Sequence, residues 1–204
     1  MYARWGNKKT LAVHKVFEWQ YMQNNVEKYV LVTQALDAKN TCRACSPIVG
    51  VAVFARKDGQ WFLEAENKEL DRFGAMGVVF GKMDVVRIGP GKYGVVHEIG
   101  HGAHQDCDGM AFRVITLQDG LRSLDVGDEG GTSYCNEYCE NCGDEYVQVG
   151  EWNTRISFDD SSSGAYYDVL LQSTHREGVR SEIDTKTRRY RFSGNEYKEI
   201  TTGK

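Results

Sequence analysis

The stretch VVHEIGHGAHQDC, from Val95 to Cys107, holds three of the five histidines in this sequence. His97, Glu98 and His101 stand in the order His-Glu-x-x-His. On a helix, positions i and i+4 share a face, so two imidazoles reach one zinc ion while the intervening carboxylate polarises a metal-bound water. On a strand the same positions also share a face, but at a rise of roughly 3.3 Å per residue their Cα atoms lie about 13 Å apart, too far for one ion. The chemistry therefore hinges on local conformation. A further arrangement keeps the metal without the hydrolysis: in a loop, His97, His101 and His104 with Cys107 could close around zinc, copper or nickel through imidazole and thiolate.

The flanks of the motif decide which element carries it. Gly94, Gly100, Gly102 and Gly109 bracket it, and each glycine inside a helix costs about 1 kcal/mol relative to alanine. Upstream, Gly89-Pro-Gly-Lys-Tyr-Gly-Val-Val96 reads as a turn running into a strand, and β-forming texture resumes after Gly109. Residues 95 to 104 are therefore expected in extended or loop conformation.

Over Val95 to Gly102 the chain resembles the zinc-binding helix of the zincin metallopeptidases. That resemblance implies His97 and His101 as zinc ligands and Glu98 as the general base of a peptidase. The sequence departs from the longer family patterns. A metzincin would place glycine where His104 stands and a third ligand where Cys107 stands. A gluzincin would need a downstream helical glutamate, for which Glu137 in Asn136-Glu-Tyr-Cys139 is the candidate. Elsewhere the chain loosely resembles uncharacterised β-rich bacterial proteins, through Cys42-x-x-Cys45-Ser-Pro47, Tyr166-Tyr-Asp168 and Tyr190-Arg-Phe-Ser-Gly194 with Tyr197. This second likeness implies a fold texture and no activity.

Six cysteines fall as Cys42-x-x-Cys45, Cys107 and Cys135-x-x-x-Cys139-x-x-Cys142. Three disulfides are the first expectation, with connectivity open. The two Cys-x-x-Cys pairs could instead supply a four-thiolate zinc site, although about a hundred residues separate them. A thioredoxin-like role for Cys42 and Cys45 would need a following helix, whereas Ile48 to Phe54 reads as a strand. Disulfides favour an exported protein, periplasmic or secreted, over a cytoplasmic one. Met1 to Lys9 lacks the apolar core of a signal peptide, so export presupposes a processed chain.

The 204 residues carry 41% hydrophobic and 26% charged side chains and a net charge of −4, which suits one ordinary globular domain spanning 1–204. Basic residues are dispersed except for Lys186 to Arg191, so no nucleic-acid face is expected, and no apolar run is long enough to span a bilayer as a helix. Leu11, Val13, Val16, Phe17 and Met22 suggest an amphipathic N-terminal helix over about 8–25. Beyond it, β-branched and aromatic runs dominate: Tyr29 to Thr33, Ile48 to Phe54, Trp61 to Leu63, Val85 to Ile88, Phe112 to Leu117, Trp152 to Phe158, Tyr166 to Leu171 and Tyr190 to Phe192. Asp58-Gly59 between two of them is a hairpin signal. The expected fold is α+β, mainly antiparallel β in a sheet, sandwich or barrel, with the N-terminal helix beside it.

Asp159 to Gly164 reads as a hairpin loop. Asp159, Asp160 and Asp168 surround it but match no spacing of calcium ligands. Alternation of Tyr190 and Phe192 with Arg189 and Arg191 predicts aromatics on a buried face and arginines on the other. Together these features point first to a non-enzymatic binding or interaction protein, with no cofactor, whose partner is a protein or small molecule. The alternative is a zinc-dependent hydrolase, with His97 and His101, and His104 as a further candidate ligand, on the metal and Glu98 activating water.

Overall fold

The computed structural model describes residues 2–5, 9–36, 45–74, 76–102, 108–130, 136–138, 146–148, 151–176 and 183–200. Among these residues there are strands and turns and no helix. The expected N-terminal helix is corrected to a strand. β1 (Tyr2–Trp5), β2 (Lys9–Gln23), β3 (Val26–Leu36), β4 (Ile48–Lys57) and β5 (Gln60–Arg72) form one sheet in sequence order, and every neighbouring pair is antiparallel.

The helical spacing near the N-terminus has a β explanation. β2 and β3 shift register between Lys15 and Phe17, so Val16 is an extra residue. His14 opposes Gln34 and Phe17 opposes Val32. Residues three apart on β2 thus face residues two apart on β3, and a β-bulge imitates the i, i+3 pattern of a helix. Below the bulge, alternation resumes through Phe17, Trp19 and Tyr21 to Gln23. Asn24 and Asn25, at φ 49° and 61°, make a two-residue turn that pairs Gln23 with Val26. Asp58 and Gly59, at φ 50° and 80°, do the same between β4 and β5, where the sequence placed a hairpin.

β6 (Lys82–Gly89), β7 (Lys92–Gly102), β8 (Asp108–Thr116) and β9 (Arg122–Gly130) form a second sheet, again in chain order. A short pair follows, β10 (Asn136–Tyr138) with β11 (Tyr146–Gln148). β12 (Glu151–Asp159), β13 (Asp168–Arg176), β14 (Ile183–Ser193) and β15 (Glu196–Ile200) make the last antiparallel sheet. No helix among the described residues is long and apolar enough to cross a membrane.

The chain divides into two compact units. The first comprises Met1–Arg87, Gly91–His97 and Val114–Ser123; the second comprises Ile88–Pro90, Glu98–Arg113 and Leu124–Lys204. In the first, Val30 and Val32 of β3 and Val49, Val51 and Val53 of β4 are almost wholly buried, and they cluster with Tyr21, Phe73, Val95, Ile115 and Leu117. Burial alternates along β3 from Lys28 to Gln34, as one covered sheet face requires. Gln23 donates to the Gly91 carbonyl at 2.6 Å and accepts from Gln118 at 3.2 Å. In the second unit Ile88, Phe112, Leu124, Val126, Val169, Leu171, Tyr190 and Tyr197 are buried. Gly127, at φ 83°, lies against the Tyr190 ring, where a Cβ would come within 2.7 Å of the phenol oxygen.

Burial pushes the Tyr21 phenol up to about 12 from its ordinary 10.0, helped by the Glu64 carboxylate. The hydrogen bond that Tyr29 donates to Glu18 raises the Tyr29 phenol to about 12 as well. Both phenols hold their protons more tightly folded than unfolded, so their contribution to stability is complete below pH 10 and is lost as pH rises towards 12. Urea midpoints measured across that interval should fall steeply in wild type and less steeply in a Tyr21→Phe, Tyr29→Phe double variant.

Candidate functional site

The His-Glu-x-x-His segment lies on β7, in the extended conformation that the flanking glycines and Val95-Val96 favour. The helix on which zincin chemistry depends is not formed there. His97 is fully buried, its ring tilted against Phe73 with centroids 5.0 Å apart, and its Nε2 lies 2.8 Å from the Phe80 carbonyl. A carbonyl only accepts, so Nε2 carries the proton and donates, and this nitrogen is engaged within the core. Glu98 is half-buried and, as the next residue of a strand, faces the opposite side. His101 belongs to the same strand, but its side chain, like His104 and Cys107, lies outside the described residues. Glu137 sits on the strand β10, not on a helix. Among the described residues no three His, Cys, Asp or Glu side chains gather as metal ligands. Cys45 is disulfide-bonded; Cys42, Cys135, Cys139 and Cys142 lie outside the described residues.

A cluster of charged groups lies instead at the β12–β13 hairpin. The polar tract after Asp159 is a structured turn. The Asp159 carboxylate accepts from the Ser161 backbone N–H at 3.1 Å and from its hydroxyl at 2.6 Å, while the Asp159 carbonyl accepts from Ser162 N–H at 3.3 Å. This is the local bonding by which aspartate and serine favour turns. The Ser162 hydroxyl then accepts from the Asp168 N–H at 3.1 Å, closing the loop. Its far arm is tied by the Tyr167 N–H to the Ile88 carbonyl at 2.8 Å. Gly89 lets that arm approach: a Cβ there would stand 2.6 Å from the Ala165 carbonyl oxygen.

Register brings the charges together. Asp159 pairs directly with Asp168 across the two strands, an arrangement that like charges destabilise. Val169 pairs with Tyr190 on the next strand, which sets Arg189 and Arg191 on either side of that position. Arg189 bridges both carboxylates, bonding Asp159 through Nη2 and Asp168 through Nη1 at 3.3 Å. Arg191 meets Asp168 with a two-pronged contact, Nε at 3.2 Å and Nη2 at 3.0 Å. Asp168 is only 2% exposed, whereas the Arg191 side chain is 58% exposed. The Ser161 hydroxyl and N–H, followed by Arg189, hold the Asp159 carboxyl below its ordinary value.

Asp168, Arg189 and Arg191 line a recess of about 440 Å³, together with the Ser161-to-Tyr166 loop and Phe192. Tyr166 and Phe192 pack on one another at 4.3 Å with ring planes 43° apart. The first unit has another recess, of about 400 Å³, lined by Gln23, Lys28, Glu64 and Gln118 among others. There Lys28 holds both oxygens of Glu64 at 2.6 Å, and the two glutamines bond each other.

Sequence reasoning placed the hairpin loop and the burial of Tyr190 between outward arginines. It missed that Asp168 and the two arginines form one site. The available signal was a pair of aspartates flanking a serine loop, with arginines spaced by two on a later strand.

His97→Ala should lower stability by about 2–3 kcal/mol, because it empties core space and strands the Phe80 carbonyl. Exhaustive chelation should leave the wild-type urea midpoint unmoved, and a drop on chelation would return a metal to this strand. Gly89→Ala should cost about 1–3 kcal/mol through the clash with Ala165 and displace the hairpin loop, visible as amide shifts at residues 161–168.

No family model matches the chain, and no match to it was found among curated proteins or among solved structures.

Proposed function

We propose that this chain is a non-enzymatic binding protein that receives a small ligand in the recess of the β12–β13 hairpin. The observation that carries the proposal is the buried Asp168 carboxylate fixed by two guanidiniums in the wall of that recess. Pairing a buried carboxylate with part-exposed guanidiniums adds little net stability, so the arrangement fits a recognition role. The recess falls in the usual range for small-molecule sites, roughly 300–1,000 Å³. The loop is tethered at both ends before any ligand arrives, which lowers the ordering cost of binding. The disulfide at Cys45 agrees with an oxidising compartment, so a periplasmic or secreted setting belongs to the same proposal. The zinc-hydrolase alternative draws no support from β7, where His97 is held in the core and Glu98 faces away.

The test is a fragment screen read by amide resonances of ¹⁵N-labelled protein. Ligand-dependent, saturable shifts confined to residues 161–168 and 189–192, and lost in Arg191→Ala, are expected. A chemically diverse library that leaves those resonances unmoved would retire the proposal.

A further inference from the structure

We infer that the ligand of this recess is a neutral, hydroxyl-rich ring of the monosaccharide class, an inference that rests on the recess being a ligand site at all. Charge narrows the choice first. Asp168 and, just outside the lining, Asp159 balance Arg189 and Arg191, so the charges of this hairpin cancel locally. An anion would compete with carboxylates already paired to both guanidiniums, and a cation would meet those guanidiniums head on. A neutral apolar ligand fares no better, because it would strip water from charged groups and return no hydrogen bonds.

What remains is a neutral ligand dense in hydrogen-bonding groups. Arg191 spends Nε and Nη2 on Asp168, which leaves N–H groups of its exposed guanidinium directed at solvent beside the carboxylate. A ligand hydroxyl can accept from these N–H groups, while the Asp168 carboxylate, only 2% exposed, stays engaged by the two arginines. Vicinal hydroxyls on a ring can repeat the contact towards the Ser163 hydroxyl at the rim, where the loop is exposed. Tyr166 and Phe192 give the lining an apolar part. Inclined to each other, they form a bent surface suited to the C–H face of a puckered ring and not a parallel slot for a flat base.

The experiment titrates ¹⁵N-labelled full chain separately with D-glucose, D-galactose, D-mannose and N-acetyl-D-glucosamine, with inorganic phosphate and uridine as contrasting probes. At least one sugar should move the amides of residues 161–168 and 189–192 saturably. Arg191→Lys keeps the charge and loses the fork, and it should weaken that sugar about tenfold. Phe192→Leu tests the apolar part of the lining in the same way, and unchanged spectra elsewhere certify that both variants fold. Saturable binding of phosphate or uridine in place of any sugar overturns the ligand class while leaving a binding site. Silence from all six probes also overturns the class, and the fragment screen then decides whether the recess binds anything.

Discussion

Hairpin register is the constraint on which everything else in this structure depends. Within each sheet every strand pairs with its neighbour in sequence, and a turn of a few residues commonly links the two. Asn24-Asn25 and Asp58-Gly59 adopt the left-handed conformation that matches the twist of two-residue hairpins. A slip of one residue would turn Val30, Val32, Val51 and Val53 to solvent, because side chains alternate with a period of two. The turn is therefore a small feature with consequences along whole strands. The same logic holds at the other end of the chain, where Gly194, at φ 68°, sets the pairing of Ser193 with Glu196 and, further up, of Tyr190 with Glu199.

At the β12–β13 hairpin, register creates an electrostatic conflict and also its resolution. Asp159 and Asp168 face one another across the ladder. Alone they would repel. Arg189 lies within reach of both, and the Ser161 hydroxyl adds a further bond to Asp159. The Asp159 carboxyl is held below its ordinary value by the Ser161 hydroxyl and N–H, followed by Arg189. Its stabilisation is present above the unfolded-state value and disappears as pH falls through the folded-state value.

Much of this was legible in the chain itself. Runs such as Ile48 to Phe54 and Phe112 to Leu117 are strands because β-branched and aromatic residues fit a pleated, half-covered surface. Glycines around His97 foretold an extended segment. The N-terminal error came from one inserted residue: Val16 breaks the alternation, so a strand with apolar residues on either side of a bulge takes on helical spacing. The Asp168 site was hidden for another reason. Its members lie 21 and 23 residues apart in sequence, and only the pairing of three strands brings them together. Periodicity says which face a side chain occupies and is silent about which strand lies beside it.

Pairing each strand with the next also bears on how the chain folds. Bringing consecutive strands together closes only short loops, whose entropic cost is small and grows slowly with length. Each sheet can therefore zip from its turns as the segments emerge. Contacts such as Gln23 with Gly91, 68 residues away, and Gln118 with Gln23, 95 residues away, can lock only after the local pairs exist. Distant contacts of this kind slow folding, since rates fall as contacts become less local.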